Sequence, residues 1–150
     1  MLRTHRGVAV IVMVAGLQVL GCSQTPSTPG QKGAAVKVER VPGATISRLT
    51  LSKSAVERLG IKTEPVAEQL AARSGATAAP RKVVPYGAVL YDPSGQAWVY
   101  VNQQELTYVR HAIKVDYIER ERAVLSDGPP LGTKVVMIGA AELFGTEYGR

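Results

Sequence analysis

The chain has 150 residues, enough for a single domain, and its 45% hydrophobic and 20% charged content is ordinary globular usage. That excludes a wholly disordered chain, a collagen and a multi-span membrane protein, while one cysteine and two histidines exclude a disulfide scaffold, a cysteine-based zinc cluster and a multi-histidine metal site. The net charge of +6 is unevenly spread: residues 23–82 carry ten basic and four acidic side chains, residues 83–150 six basic and eight acidic.

Arg3 and Arg6 form a short basic start, followed by an apolar run over 7–20. A bilayer-spanning helix needs roughly 20 apolar residues, so the run is short for a span and fits the hydrophobic region of a secretory signal. It ends in Val19-Leu20-Gly21-Cys22, which resembles a bacterial lipobox, and the chain's only cysteine stands where lipidation requires it. Residues 1–21 are therefore expected to be a lipoprotein signal peptide, and Cys22 the lipidated first residue of the mature chain. Several acyl chains on one residue anchor a domain stably at a membrane face. Residues 22–44, rich in Ser, Thr, Pro, Gly and Ala, read as a flexible tether with a root-mean-square span of about 25 Å.

Alternation over 45–51 predicts a strand. Residues 52–60 predict a short helix, with Ser52 as N-cap, Ser54 and Glu57 at capping-box spacing, Val56 and Leu59 on one face and Gly60 as the stop. A strand returns over 61–66. Residues 69–82, dominated by Ala, Gly, Ser, Thr and Pro, read as a second linker. All eight aromatic residues lie beyond it, so the larger part of the core is expected from 83–150. There the strands are 83–91, with Pro85 at an edge or bulge; 97–101, with Trp98 and Tyr100 on one face and Val99 and Val101 on the other; 107–118; 123–125; and 134–138. Asp92-Pro93-Ser94-Gly95 has the residues of a type I turn. In 107–118, Val109, Ile113, Val115 and Tyr117 share one face with His111, while Arg110, Lys114 and Asp116 share the other. This spacing indicates a mainly β fold, a small barrel or roll with one short helix over 45–150.

No catalytic constellation emerges. His111 is the only histidine of the mature chain and has no cysteine or second histidine to join, so it reads as a structural or rim residue. Met137 lies in an apolar run and reads as core. Glu119, Arg120, Glu121 and Arg122 read as a solvated turn. No phosphate-binding loop, dinucleotide fingerprint or nucleophile elbow is present. The expectation is a protein that is not an enzyme, with no cofactor, no metal site and no nucleic-acid partner.

Two stretches resemble a family. ISRLTLSKSAVERLGIKTEPV, from residue 46, is similar to the entry segment of periplasmic adaptor subunits (membrane fusion proteins) of tripartite efflux pumps. From residue 84, VPYGAVLYDPSGQAWVYV, then YVRHAIKV, then SDGPPLGTKVVMIGAAELFGTE resembles the membrane-proximal region at the end of those adaptors, with His111 where a second arginine is frequent. The two stretches cover about 80 residues and stand in the family's order. Adaptors carry a lipoyl-like domain, an α-helical hairpin and a β-barrel domain between them, and here only 69–82 intervenes. The resemblance implies the membrane-proximal domain alone, with the fold in which the two chain ends of an adaptor meet. It implies a lipid-anchored component of an RND-type efflux system at the periplasmic face of a bacterial membrane, docking on the RND-type inner-membrane transporter or on a separate full-length adaptor. The alternative is a stand-alone periplasmic lipoprotein that binds a small ligand or ion.

Overall fold

The computed structural model describes residues 35–149 except 74 and 76. The signal segment, Cys22 and most of the expected tether lie outside the described residues. The fold is mainly β: a ten-stranded sheet curled into a half-barrel, accompanied by two short helices.

Strands β1 (Val36–Arg40) and β2 (Ser47–Leu51) form a hairpin, so the tether reading of 36–44 is corrected. Val36 and Val38 alternate with Lys37 and Glu39, and both valines pack on buried neighbours. The alternation is short and set in polar sequence, so only the partner strand makes it a strand. Helix α1 (Lys53–Leu59) follows with the expected caps. The Ser52 hydroxyl oxygen accepts from the Ala55 N–H at 3.2 Å. At the other end the Gly60 N–H donates to the Glu57 carbonyl and the Ile61 N–H to the Val56 carbonyl, both at 3.1 Å. That is the Schellman pattern, with Gly60 left-handed at φ 62°. Ser52→Ala is expected to cost about 1 kcal/mol in a urea unfolding measurement, the usual value of an N-cap hydroxyl.

Strands β3 (Lys62–Pro65) and β4 (Ala67–Ala71) are separated only by Val66. The Val66 N–H donates to the Thr133 carbonyl at 2.8 Å, and the Gly132 N–H donates to the Val66 carbonyl at 2.9 Å. β4 pairs with β5 (Ala79–Pro85), from Ala67 opposite Val83 to Ala71 opposite Ala79. The expected linker 69–82 is thus mostly a hairpin, and only 72–78 connect its strands. Its small residues and Pro80 conceal the strand pattern; Pro80 stands opposite Leu70 and outside the part of β5 that pairs with β9, so it lies where one side of the strand has no ladder partner.

A single turn of 3-10 helix (Tyr86–Ala88) leads to β6 (Leu90–Tyr91) and then β7 (Ala97–Gln104). β8 (Thr107–Glu119) is long, and its two halves do different work. Residues 107–113 pair with β7, and 107–109 also pair with β2 on the other side. Residues 114–119 pair with β9 (Arg122–Asp127). Register shifts around Val115 mark the change of partner, and bulges of this kind bend and twist a strand. β10 (Lys134–Ile138) lies between β7 and β3, and helix α2 (Ala140–Tyr148) ends the described chain. The sheet order β3-β10-β7-β8-β9-β5-β4 therefore begins and ends on strands consecutive in sequence.

One core cluster joins the two halves of the curl: Val99, Val101, Val109 and Ile113 meet Val84, Ala123 and Leu125. A second lies on the opposite face of β7 and β8, where Tyr100, Tyr108, Leu49 and Val136 meet Ala55 of α1 and Ala140 and Leu143 of α2. The expected division of β7 into a valine face and an aromatic face holds. Most buried apolar residues come from beyond residue 82, as the aromatic distribution implied. Two expectations are corrected: there is a second helix, α2, and Met137 is half-buried rather than core.

Candidate functional site

The most highly organised polar group of the molecule is a charged clasp between β8 and α2. Arg110 shares its face of the alternation with the charged Lys114 and Asp116, a grouping typical of a solvated face. Instead it is only 4% exposed, because α2 lies across that face. Its Nε donates to Glu147 Oε2 at 2.8 Å and its Nη2 to Glu147 Oε1 at 3.0 Å, a bidentate pair. Its Nη1 donates to the Tyr148 hydroxyl at 3.0 Å. The guanidinium carbon stands 4.6 Å from the Trp98 ring centroid and 4.9 Å from that of Tyr148, within cation–π range.

Glu147 accepts two further bonds, from the Ser47 N–H at 2.8 Å and the Tyr100 hydroxyl at 2.6 Å. A carboxylate offers about four acceptor positions. All are in use. Burial first, then the hydrogen bond and charge of Glu147, raise Tyr100 well above the ordinary phenol range and keep it a donor. Desolvation opposes the charge of Arg110, but the hydrogen bond and charge of Glu147 outweigh it and raise the guanidinium above its usual value.

The clasp extends through Trp98 to the β6–β7 turn. Asp92 Oδ2 accepts from the Trp98 indole N–H at 3.0 Å, while Oδ1 accepts from the Ser94 hydroxyl at 2.6 Å and the Ser94 and Gln96 N–H groups. The Gly95 N–H closes the expected turn on the Asp92 carbonyl at 2.9 Å. Hydrogen bonds from Ser94 and then Trp98 lower the Asp92 pKa from 3.8 to about 2. A carboxyl depressed on folding contributes stability above its unfolded pKa and loses it as pH falls through the folded value. The stability gap between wild type and Asp92→Ala should therefore be full above pH 3.8 and close as pH approaches about 2, measured as urea midpoints.

Beside the clasp opens a cleft of about 370 Å³, lined by Arg40, Thr45, Ser47, Arg110, Glu147 and Tyr148 among others. It lies where the β1–β2 connection passes the end of α2. A second, more apolar cleft of about 420 Å³ is lined by Pro85, Tyr86, Met137 and Ile138, with Arg120 and Glu121 beside them. Tyr86 and Ile138 are among the exposed large apolar side chains.

His111 is exposed and lies in neither cleft; its Nδ1 is 2.8 Å from the Ala112 carbonyl oxygen. Cys22 lies outside the described residues. Among the described residues no three His, Cys, Asp or Glu side chains converge as metal ligands, and no helix is long and apolar enough to cross a membrane. The sequence reading missed Arg110, Glu147 and Arg40 as members of one site. A signal for Glu147 was present: it falls seven residues after Ala140, on the stripe that Leu143 and Phe144 continue. A carboxylate on the buried stripe of a helix calls for a cation opposite. No protein-family model, curated protein or solved structure matches the chain.

Proposed function

We propose that this chain is a non-catalytic docking domain, lipid-anchored through Cys22 at the periplasmic face of a bacterial envelope membrane. It serves an RND-type efflux system by binding the transporter or a full-length adaptor. The observation that carries the reading is how the two adaptor-like stretches meet. Their strands interleave in one sheet: β2 pairs with β8, and β3 pairs with β10. Between the stretches stands only the β4–β5 hairpin. In an adaptor, the corresponding place is where the chain leaves for the lipoyl, hairpin and barrel domains and returns. A domain made from both ends of a longer architecture, closed by a hairpin, retains docking surfaces without the reach to an outer-membrane channel.

The test places a photo-crosslinking amino acid at Tyr86 or Ile138, both exposed and apolar, in the full chain in its native host. Mass spectrometry then identifies the adducts. Recovery of an RND transporter or a full-length adaptor supports the proposal. Abundant protein in the membrane fraction with neither partner captured from these sites, nor from Tyr91 or Leu131 as further exposed positions, overturns it.

A further inference from the structure

We propose that the cleft beside the Arg110–Glu147 clasp is a binding site for a phosphate oxyanion, carried either by free phosphate or by a phospholipid headgroup. This goes beyond the docking reading and does not depend on it. The cleft is lined by Arg110, Glu147 and Tyr148 of the clasp together with Thr45, Ser47 and Arg40 of the β1–β2 hairpin. Two arginines and one carboxylate thus line the same cleft.

That carboxylate is already saturated. Its oxygens accept from Ser47, Tyr100 and Arg110, so its charge is matched within the clasp. Arg40 is different: among the described residues it forms no ion pair, and its strand partner in register is Ser47 of the same cleft. The cleft therefore carries one uncompensated cation. The hydroxyls around it suit an oxyanion. Tyr148 accepts its hydrogen bond from Arg110, which leaves its own O–H to donate elsewhere. The Thr45 and Ser47 hydroxyls make no hydrogen bond among the described residues, and each can donate one. Arginine with converging hydroxyl donors is the chemistry that recognises phosphate. The volume of about 370 Å³ falls within the range of small-ligand sites.

The site is also rigid where it must be. Ser47 is held by its N–H bond to Glu147, and Arg110 by Glu147, Tyr148 and Trp98. Arg40 is exposed and takes no part in the Arg110–Glu147 pair, so it is the residue to test without disturbing the fold.

The experiment titrates the full chain, in uncharged detergent micelles, with inorganic phosphate and follows the amide resonances of Thr45 and Ser47. Saturable shifts are expected, with affinity about tenfold weaker in Arg40→Gln, the loss of one charge-assisted contact. Lys37→Gln is the control: Lys37 lies on the same strand, pairs with Glu39 and does not line the cleft. It should bind as wild type does. A second titration uses dihexanoyl phosphatidylglycerol. Arg40-dependent displacement of phosphate by this lipid supports the site as a headgroup site; saturable phosphate binding without displacement supports it as a site for the free anion. No saturable shift with either probe, or equal affinity in Arg40→Gln and Lys37→Gln, overturns the proposal.

Discussion

Glu147→Gln is expected to destabilise the protein by about 3–5 kcal/mol, the cost of leaving one member of a buried ion pair uncompensated. The Arg110 and Glu147 side chains are 3% and 4% exposed, so water does not replace the lost partner. The amide cannot accept both guanidinium bonds, the Ser47 N–H and the Tyr100 hydroxyl at once. Because Glu147 stands in the last turn of α2, its loss should also release the helix from the sheet. Two measurements separate these effects: urea unfolding gives the total, and hydrogen exchange in 140–148 reports the helix. Arg110→Met combined with Glu147→Leu should recover only part of the loss: Trp98, Phe144 and Tyr148 offer apolar rings to the new side chains, but the Ser47 N–H and the buried Tyr100 hydroxyl lose their acceptor. A loss below about 1 kcal/mol in Glu147→Gln, the usual range for an exposed pair, would show that the clasp does not hold α2.

The second large effect is expected at Gly139. This residue is the N-cap of α2, has φ 87°, and stands against Ile61. In Gly139→Ala the new methyl would meet Ile61 Cδ1 well inside van der Waals contact, with the Ile61 Cγ1 at 3.3 Å behind it. The left-handed backbone costs about 1–2 kcal/mol for a residue with a side chain, and overpacking adds about 1–3 kcal/mol. A total loss of about 2–5 kcal/mol is therefore expected. Gly60→Ala is the internal comparison. Gly60 has φ 62°, but nothing lies within 4 Å of an added methyl, so only the backbone cost of about 1–2 kcal/mol remains. Equal losses at the two positions, measured as urea midpoints, would remove the contact with Ile61 from the account. The comparison matters for α2, because this helix has no side-chain cap at its start and depends on where Gly139 aims it.

The elements with local signals were legible. Helix α1 announces its own ends, through a serine hydroxyl at one and a glycine at the other, and these caps form within a few residues of chain. The Asp92 turn is equally local: aspartate, proline and glycine occupy the positions their backbone preferences demand. β7, β8 and β10 carry clear period-two patterns, and the structure places them within a few residues of where alternation predicts them. By contrast, β1, β4 and β5 lie in stretches of Ala, Gly, Pro and Thr that have the composition of linkers. Their strand character comes from the hydrogen bonds of a neighbour. α2 escaped for a related reason: Gly145 interrupts it, its start lacks a capping side chain, and its stability rests on Leu143, Ala140 and Glu147 meeting the sheet.

The sequence by itself therefore determined the class of the fold, the position of its best strands, the first helix and the turn at Asp92. It also predicted an export signal with Cys22 at its end, in residues outside the described structure. Only the tertiary structure decided that Arg110 is buried rather than solvated, that Glu147 faces it, and that Arg40, Thr45 and Ser47 stand around the same cleft. The physical reason is one of range. Alternation and caps are interactions between residues close in the chain, and a sequence displays them directly. The clasp joins residues 37 positions apart, and the Ser47–Glu147 bond spans 100. Whether a charged side chain on a strand meets water or a carboxylate depends on which element is laid over that face, and the bend of β8 together with the direction Gly139 gives to α2 sets that outcome.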